Sequence, residues 1–288
     1  IKKIKLIDNN IESIKSAKKN LSKLNNVKIL NKNINNFKTK EKFDYVIMEN
    51  ALDNFSNEKI IIKKILDLTK KDGNIILTLG DNYGIFSNKL RYVFSLILIE
   101  QSKIINFKDK INFLSNIFSE HLNYLSTNTR KVDKWVLDNI LNSKWIRKKN
   151  YINHSDLIKF IKNKAVIQNI SPSFCKRFDW YKTLNLKKLN NKYLKSYLNE
   201  RINFLDFETS FNKKLDIDKN LNQIFIIINQ LVPDKVLNKK LLNYLKIELK
   251  KLVLKLKKLN RKNKVVLTIE EFILILKNYK LKKKINIK

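Results

Sequence analysis

The sequence predicts an α/β fold with a parallel sheet over its first third and helical text after it, and three observations carry that prediction. Short apolar runs rich in Ile and Val (Ile4 to Ile7, Val27 to Leu30, Tyr45 to Met48 and Ile75 to Leu79) are each bounded by Asn, Asp or Gly. Segments of helical period separate these runs, so strands and helices alternate, which implies right-handed crossovers between parallel strands. Beyond Gly84 the pattern changes to long helical stretches with few turn signals.

In open parallel sheets, ligands sit outside the carboxyl ends of the strands. The residues to weigh are therefore those that follow each apolar run: Asp8, Asn33, Glu49 with Asn50, and Asp81. An acidic residue at such an end is placed to accept two hydrogen bonds from a ribose diol. Asp8 holds that position after the first run.

The order IKLIDNN, NVKILNKNINNF, FDYVIMENALDNF and LTKKDGNIILTL resembles the class I S-adenosylmethionine-dependent methyltransferases over residues 1–84, and more loosely to about residue 185. The resemblance implies a Rossmann-like methyltransferase sheet with S-adenosyl-L-methionine as cofactor. It implies that Asp8 holds the ribose hydroxyls, that Asn33 accepts from the adenine amino group where the family carries an acidic residue, and that the backbone of Ile34 faces the adenine ring. Glu49 and Asn50 follow the strand that resembles the family's fourth, and the resemblance implies that they too contact the cofactor. LTKKDGNIILTL resembles its next helix, glycine turn and fifth strand.

One part of the family pattern is missing. The Gly-rich loop that binds the methionyl end cannot be written, because Gly73, Gly80 and Gly84 are the only glycines in the chain. The first residue is Ile1 and the sole methionine is Met48. The expectation is a fragment that lacks the first strand, the first helix and that loop.

Composition bounds the remainder. A chain of 288 residues can bury a large core and carry one domain with an appendage. The formal net charge of +35 points toward nucleic acid or an anionic membrane. Only six of the 61 basic residues are Arg, however, and Lys is the poorer choice for gripping phosphate bidentately. One cysteine, Cys175, excludes an internal disulfide and any cysteine-rich zinc site, and no metal is expected. A cytoplasmic protein fits this usage. No apolar run approaches the roughly 18 residues that span a bilayer.

The expected organisation is a methyltransferase domain over residues 1–186, with a helical insertion at about 85–150 acting as a lid, and a helical C-terminal extension over 187–288. Within it, NHSDLIKFIK starts a helix with Ser155 as its cap. AVIQNIS and FDWYKTL read as a closing pair of strands. Trp135, Asp138 and Trp145 either line a pocket or pack in the core. Leu242, Leu245, Leu249, Leu252, Leu256 and Leu259 form a heptad-like seam; with only about three heptads, a helix packed against its own domain is expected over a coiled coil. Between Lys239 and Lys288 stand 17 basic and 3 acidic residues, a basic amphipathic stretch suited to a membrane surface, an RNA or plain solvent.

Methyl transfer from a sulfonium needs orientation above all, and a base only where the acceptor is a hydroxyl or an acidic carbon. Glu49, Asp53 and His121 are the candidates for acceptor contact or proton removal, and His154 reads as a turn residue. The Asn/Asp-Pro-Pro-Tyr/Phe signature of amino-nitrogen methyltransferases is absent, since the corresponding turn reads MENA, and Cys175 follows Phe174 rather than a proline. A small-molecule or sugar acceptor, methylated on oxygen or nitrogen, is the first expectation. The alternatives are an RNA methyltransferase that docks through the basic C-terminal helices, and a non-catalytic scaffold on a degenerate fold.

Overall fold

The computed structural model describes residues 1–123, 130–141, 143–148, 151–171, 173–175, 186–206, 211, 215–232, 236–259 and 263–280. The chain divides into two compact units, Ile1–Thr78 and Leu79–Lys288.

The first unit carries all four described strands. Strand β1 (Ile4–Asp8) runs parallel to β2 (Val27–Asn31), with Ile4 opposite Val27 and Asp8 opposite Asn31. Helix α1 (Ile11–Asn20) makes the crossover. The Asn10 side chain caps it by accepting from the amides of Glu12 and Ser13. Strand β3 (Phe43–Met48) runs parallel to β4 (Thr69–Leu77) through α2 (Glu58–Leu68), which Asn57 caps and which buries Ile61, Ile62, Ile65 and Leu68. The strands form two separate pairs, β1 with β2 and β3 with β4.

The Lys-Lys-Asp-Gly stretch corrects one expectation. Instead of a turn before a strand starting at Ile75, it is a bulge inside β4: Phe43 faces Thr69 and Tyr45 faces Asn74, so Asp44 alone spans Lys70 to Gly73. The left-handed residue there is Asp72, with φ 64°. Gly73 is needed for a different reason, close approach. A Cβ on it would lie 2.8 Å from Thr69 Cγ2 and 3.0 Å from the Asp44 carbonyl oxygen. Gly73→Ala should therefore cost about 1–3 kcal/mol of unfolding free energy in urea titrations; an unchanged midpoint would contradict this packing.

The second unit is helical throughout its described residues. Asp81 caps α3 (Asn82–Ser102), accepting from the Tyr83 amide, and α3 ends where Lys103 turns left-handed at φ 56°. Helix α4 (Phe107–Asn123) follows, then α5 (Val132–Val136), a π-turn at Leu137–Leu141, α6 (Ser143–Ile146), α7 (His154–Ile161) and α8 (Leu186–Glu200). A 3₁₀ turn at Arg201–Leu205 leads toward α9 (Asp218–Asn229), α10 (Lys239–Lys257) and α11 (Lys264–Lys280).

The main core gathers Phe86, Leu90, Val93 and Ile97 of α3 with Ile224, Phe225 and Ile228 of α9 and the inner faces of α10 and α11. The leucine seam behaves as expected: Leu245, Leu249, Leu252 and Leu256 are wholly buried within the chain. Trp135 packs against Phe118, with ring centroids 5.7 Å apart, and the Trp145 indole donates to the Asp138 carbonyl at 2.6 Å. Both tryptophans thus serve packing.

Two further expectations fail. Asn153, not Ser155, caps α7, accepting from the Asp156 amide, while Ser155 is buried in the first turn. Residues 165–171 form no strand. Side chains of α8 tie down their backbone instead: Asn190 accepts from the Ile167 amide and donates to the Ala165 carbonyl, and the Tyr193 hydroxyl donates to the Gln168 carbonyl. These bonds satisfy groups that a sheet partner would otherwise have to meet. The second expected strand, FDWYKTL, lies outside the described residues.

Candidate functional site

Parallel pairing fixes which residues share an edge. Asp8 and Asn31 end β1 and β2 in register, so Asp8 and Asn33 lie at the same carboxyl edge of the first sheet. Asp8 is half-buried. One of its carboxylate oxygens accepts from the Asn10 amide at 2.8 Å and its carbonyl accepts from the Lys32 amide. The other oxygen has no partner among the described residues. That leaves an oriented acceptor at the strand end, which fits a ribose diol.

Asn33 is exposed and caps the 3₁₀ turn Ile34–Asn36, its side-chain oxygen accepting from the Asn35 amide at 2.9 Å. A carbonyl oxygen has a second lone pair, so the cap and an adenine amino group are compatible. Ile34 starts that turn and is half-buried. The donor and acceptor set at this edge fits the adenosine half of S-adenosylmethionine.

Glu49 and Asn50 lie past the end of β3, both exposed, and Asn50 is left-handed at φ 51°. Asp53 sits in the 3₁₀ turn Leu52–Asn54, anchored by the wholly buried Leu52. The left-handed Asn50 redirects the chain sharply after Glu49. One turn thus carries Glu49, Asn50 and Asp53.

His121 belongs to the other unit, on α4, where its Nε2 lies 3.1 Å from Arg91 Nη2. Burial, then the guanidinium charge, hold the imidazole below its ordinary value. A guanidinium only donates, so the ring nitrogen accepts. That bond occupies the single lone pair of the neutral ring, and proton removal by His121 requires the contact to open.

The sequence reading missed a buried polar network in the second unit. Asp81 accepts from the Tyr197 hydroxyl at 2.6 Å while capping α3, and His154 Nδ1 lies 3.5 Å from the same carboxylate, beyond a good hydrogen bond. His154 is thus no turn residue; its ring packs among Phe174, Tyr197 and Phe204 at centroid distances of 5.0 to 5.9 Å. Asp218 accepts from the Tyr83 hydroxyl at 2.8 Å and from Arg201 at 2.6 Å, and Arg201 also lies over the Tyr83 ring. Burial, and then the adjoining carboxylates, push both phenols far above the ordinary tyrosine range.

Lys89 is wholly buried on α3, and its hydrogen bonds go to neutral oxygens. It donates to the carbonyls of Ile146 and Lys148 and to the Asn229 side-chain oxygen, and sits 4.6 Å from the Phe225 ring centroid. Burial pulls its ammonium down to about 7. The signal was available in the sequence as a lone lysine inside the apolar text GIFSNKLRYVF.

No helix of the described residues is long and apolar enough to cross a membrane. No curated protein and no solved structure matches the chain. Residues 2–104 do match a family model, that of a methyltransferase domain.

Proposed function

We propose, from the match of residues 2–104 to a methyltransferase-domain model, that the chain belongs to an S-adenosylmethionine-dependent methyltransferase acting on a small molecule or a sugar, on oxygen or nitrogen. The observation that carries the reading is the carboxyl edge of β1 and β2, where Asp8 keeps one oriented carboxylate oxygen without a partner among the described residues beside the acceptor of Asn33. When bound, the cofactor supplies a methyl group already activated on a sulfonium. Asp8 holds the ribose, and Asn33 with the Ile34 backbone holds the adenine. The turn at Glu49, Asn50 and Asp53 orients the acceptor, and Glu49 takes the proton where the acceptor is a hydroxyl.

The split of the four strands into two pairs supports a finer reading, in which one further strand lies between β1 and β3 and hydrogen-bonds to both. A cytoplasmic location accords with Cys175 being the only cysteine of the sequence.

Asp8→Ala tests the cofactor assignment. Calorimetric titration of S-adenosylhomocysteine should show binding weakened by about 1.5–3 kcal/mol, the worth of hydrogen bonds to a charged group. Equal affinity in both proteins would remove Asp8 from the site. Acceptor screening then follows with the unaltered chain.

A further inference from the structure

Helix α10 has two faces of different chemistry. Leu242, Leu245, Leu249, Leu252 and Leu256 bury one against α9 and α11. The opposite face carries Lys240, Tyr244, Ile247, Lys251, Leu254 and the cap residue Lys258, at steps of four and three that keep them on one stripe. At 1.5 Å per residue this stripe is about 27 Å long. Its three apolar members stand in solvent: Tyr244 is 45% exposed, Ile247 39% and Leu254 65%. Between Lys239 and Lys258 the sequence places eight lysines against one glutamate. Glu248 pairs with Lys251 at 2.6 Å, and Lys257 turns away to pair with Glu270 of α11.

We propose that this stripe docks on an anionic lipid bilayer surface, with the lysines at the headgroups and Tyr244, Ile247 and Leu254 in the boundary beneath them. The chemistry selects this partner among three. A nucleic acid offers phosphates to the lysines but no apolar phase to Ile247 and Leu254, and α10 holds no arginine to grip phosphates bidentately. A second copy of the same face would set lysine against lysine. A bilayer carrying anionic headgroups satisfies both halves: long lysine stems extend their ammonium groups to the headgroups while short apolar side chains enter the acyl boundary. The buried leucine face anchors α10 in its own core, so the helix lies flat with only this stripe presented.

Sedimentation with vesicles tests it on the full chain and needs no methyltransferase activity, so its outcome is separate from that of the cofactor titration. Vesicles mixing phosphatidylglycerol with phosphatidylcholine should pull the protein down at physiological salt, and vesicles of phosphatidylcholine alone should not. Ile247→Ser with Leu254→Ser, and separately Lys240→Glu with Lys251→Glu and Lys258→Glu, should each lower the bound fraction about tenfold or more. The same charge change at Lys18, Lys19 and Lys23, exposed in the other unit, should alter it less than about twofold. All substituted positions are on the surface, and unchanged thermal melts establish that the variants fold. Binding that survives the two serines, or that falls equally with the Lys18, Lys19 and Lys23 reversal, overturns the proposal in favour of general charge attraction. Retention on single-stranded RNA with no vesicle binding overturns it in favour of nucleic acid. Self-association abolished by the serines, again with no vesicle binding, makes the stripe a contact between copies.

Discussion

Asp81→Ala should lower unfolding free energy by about 2–4 kcal/mol, measured by urea titration. The carboxylate does three things at once from a position only 8% exposed. It caps α3 through the Tyr83 amide, accepts the Tyr197 hydroxyl and faces His154. Alanine removes the cap, worth about 1 kcal/mol. It also leaves a buried hydroxyl without its acceptor, at about 1–3 kcal/mol more. The two bonds use different carboxylate oxygens, so Asp81→Asn keeps the acceptor for only one of them and should cost about half as much. A loss below about 1 kcal/mol for the alanine variant would mean that Tyr197 finds another acceptor readily.

The second large effect is a pH dependence located at Lys89. Its ammonium is depressed to about 7 in the folded chain, from an ordinary lysine value of 10.5 when unfolded. Between those limits the unfolded chain binds the extra proton, so stability contributed by this site rises with pH from about 7 to 10.5 and is flat below 7. The full span corresponds to roughly 4–5 kcal/mol. Tyr83 and Tyr197 act in the opposite sense at higher pH: their raised values mean stability falls once unfolded phenols ionise above about 10. Comparing the wild type with Lys89→Met cancels the tyrosines. The methionine variant gives up the bonds to Ile146, Lys148 and Asn229, so its stability at one pH mixes two effects. The difference between the two proteins should nevertheless move toward the wild type by several kcal/mol between pH 7 and pH 10. Parallel curves would show that Lys89 keeps its proton.

How much of this was legible depended on range along the chain. The first three strands were found within one or two residues, because Ile- and Val-rich runs between Asn and Asp leave little choice. The leucine seam was legible for the same local reason. The bulge at Lys70–Gly73 was not, since Asp-Gly signals a turn whether or not pairing resumes beyond it. Asn153 and Ser155 are equally good caps, and only the geometry of α7 decides between them. AVIQNI alternates like a strand, but Asn190 and Tyr193, more than twenty residues on, supply its hydrogen bonds. The Asp81 network joins residues separated by 73 and 116 positions, and no spacing rule reaches that far. In the candidate site, strand ends were legible from pattern alone. That His121 has its basic nitrogen against Arg91, thirty residues away, was not.

The two strand pairs have a consequence for how the protein behaves at concentration. Among the described residues neither pair has a further strand beside it, and β3 with β4 also leaves Tyr45, Ile47 and Ile76 exposed. Unpaired amides and carbonyls beside apolar side chains are a template for intermolecular β-pairing. Turbidity and thioflavin fluorescence should therefore grow with concentration and incubation time, while the net charge of +35 keeps copies apart only at low salt. A chain that supplies a strand between β1 and β3 would close both edges against each other and quench that growth.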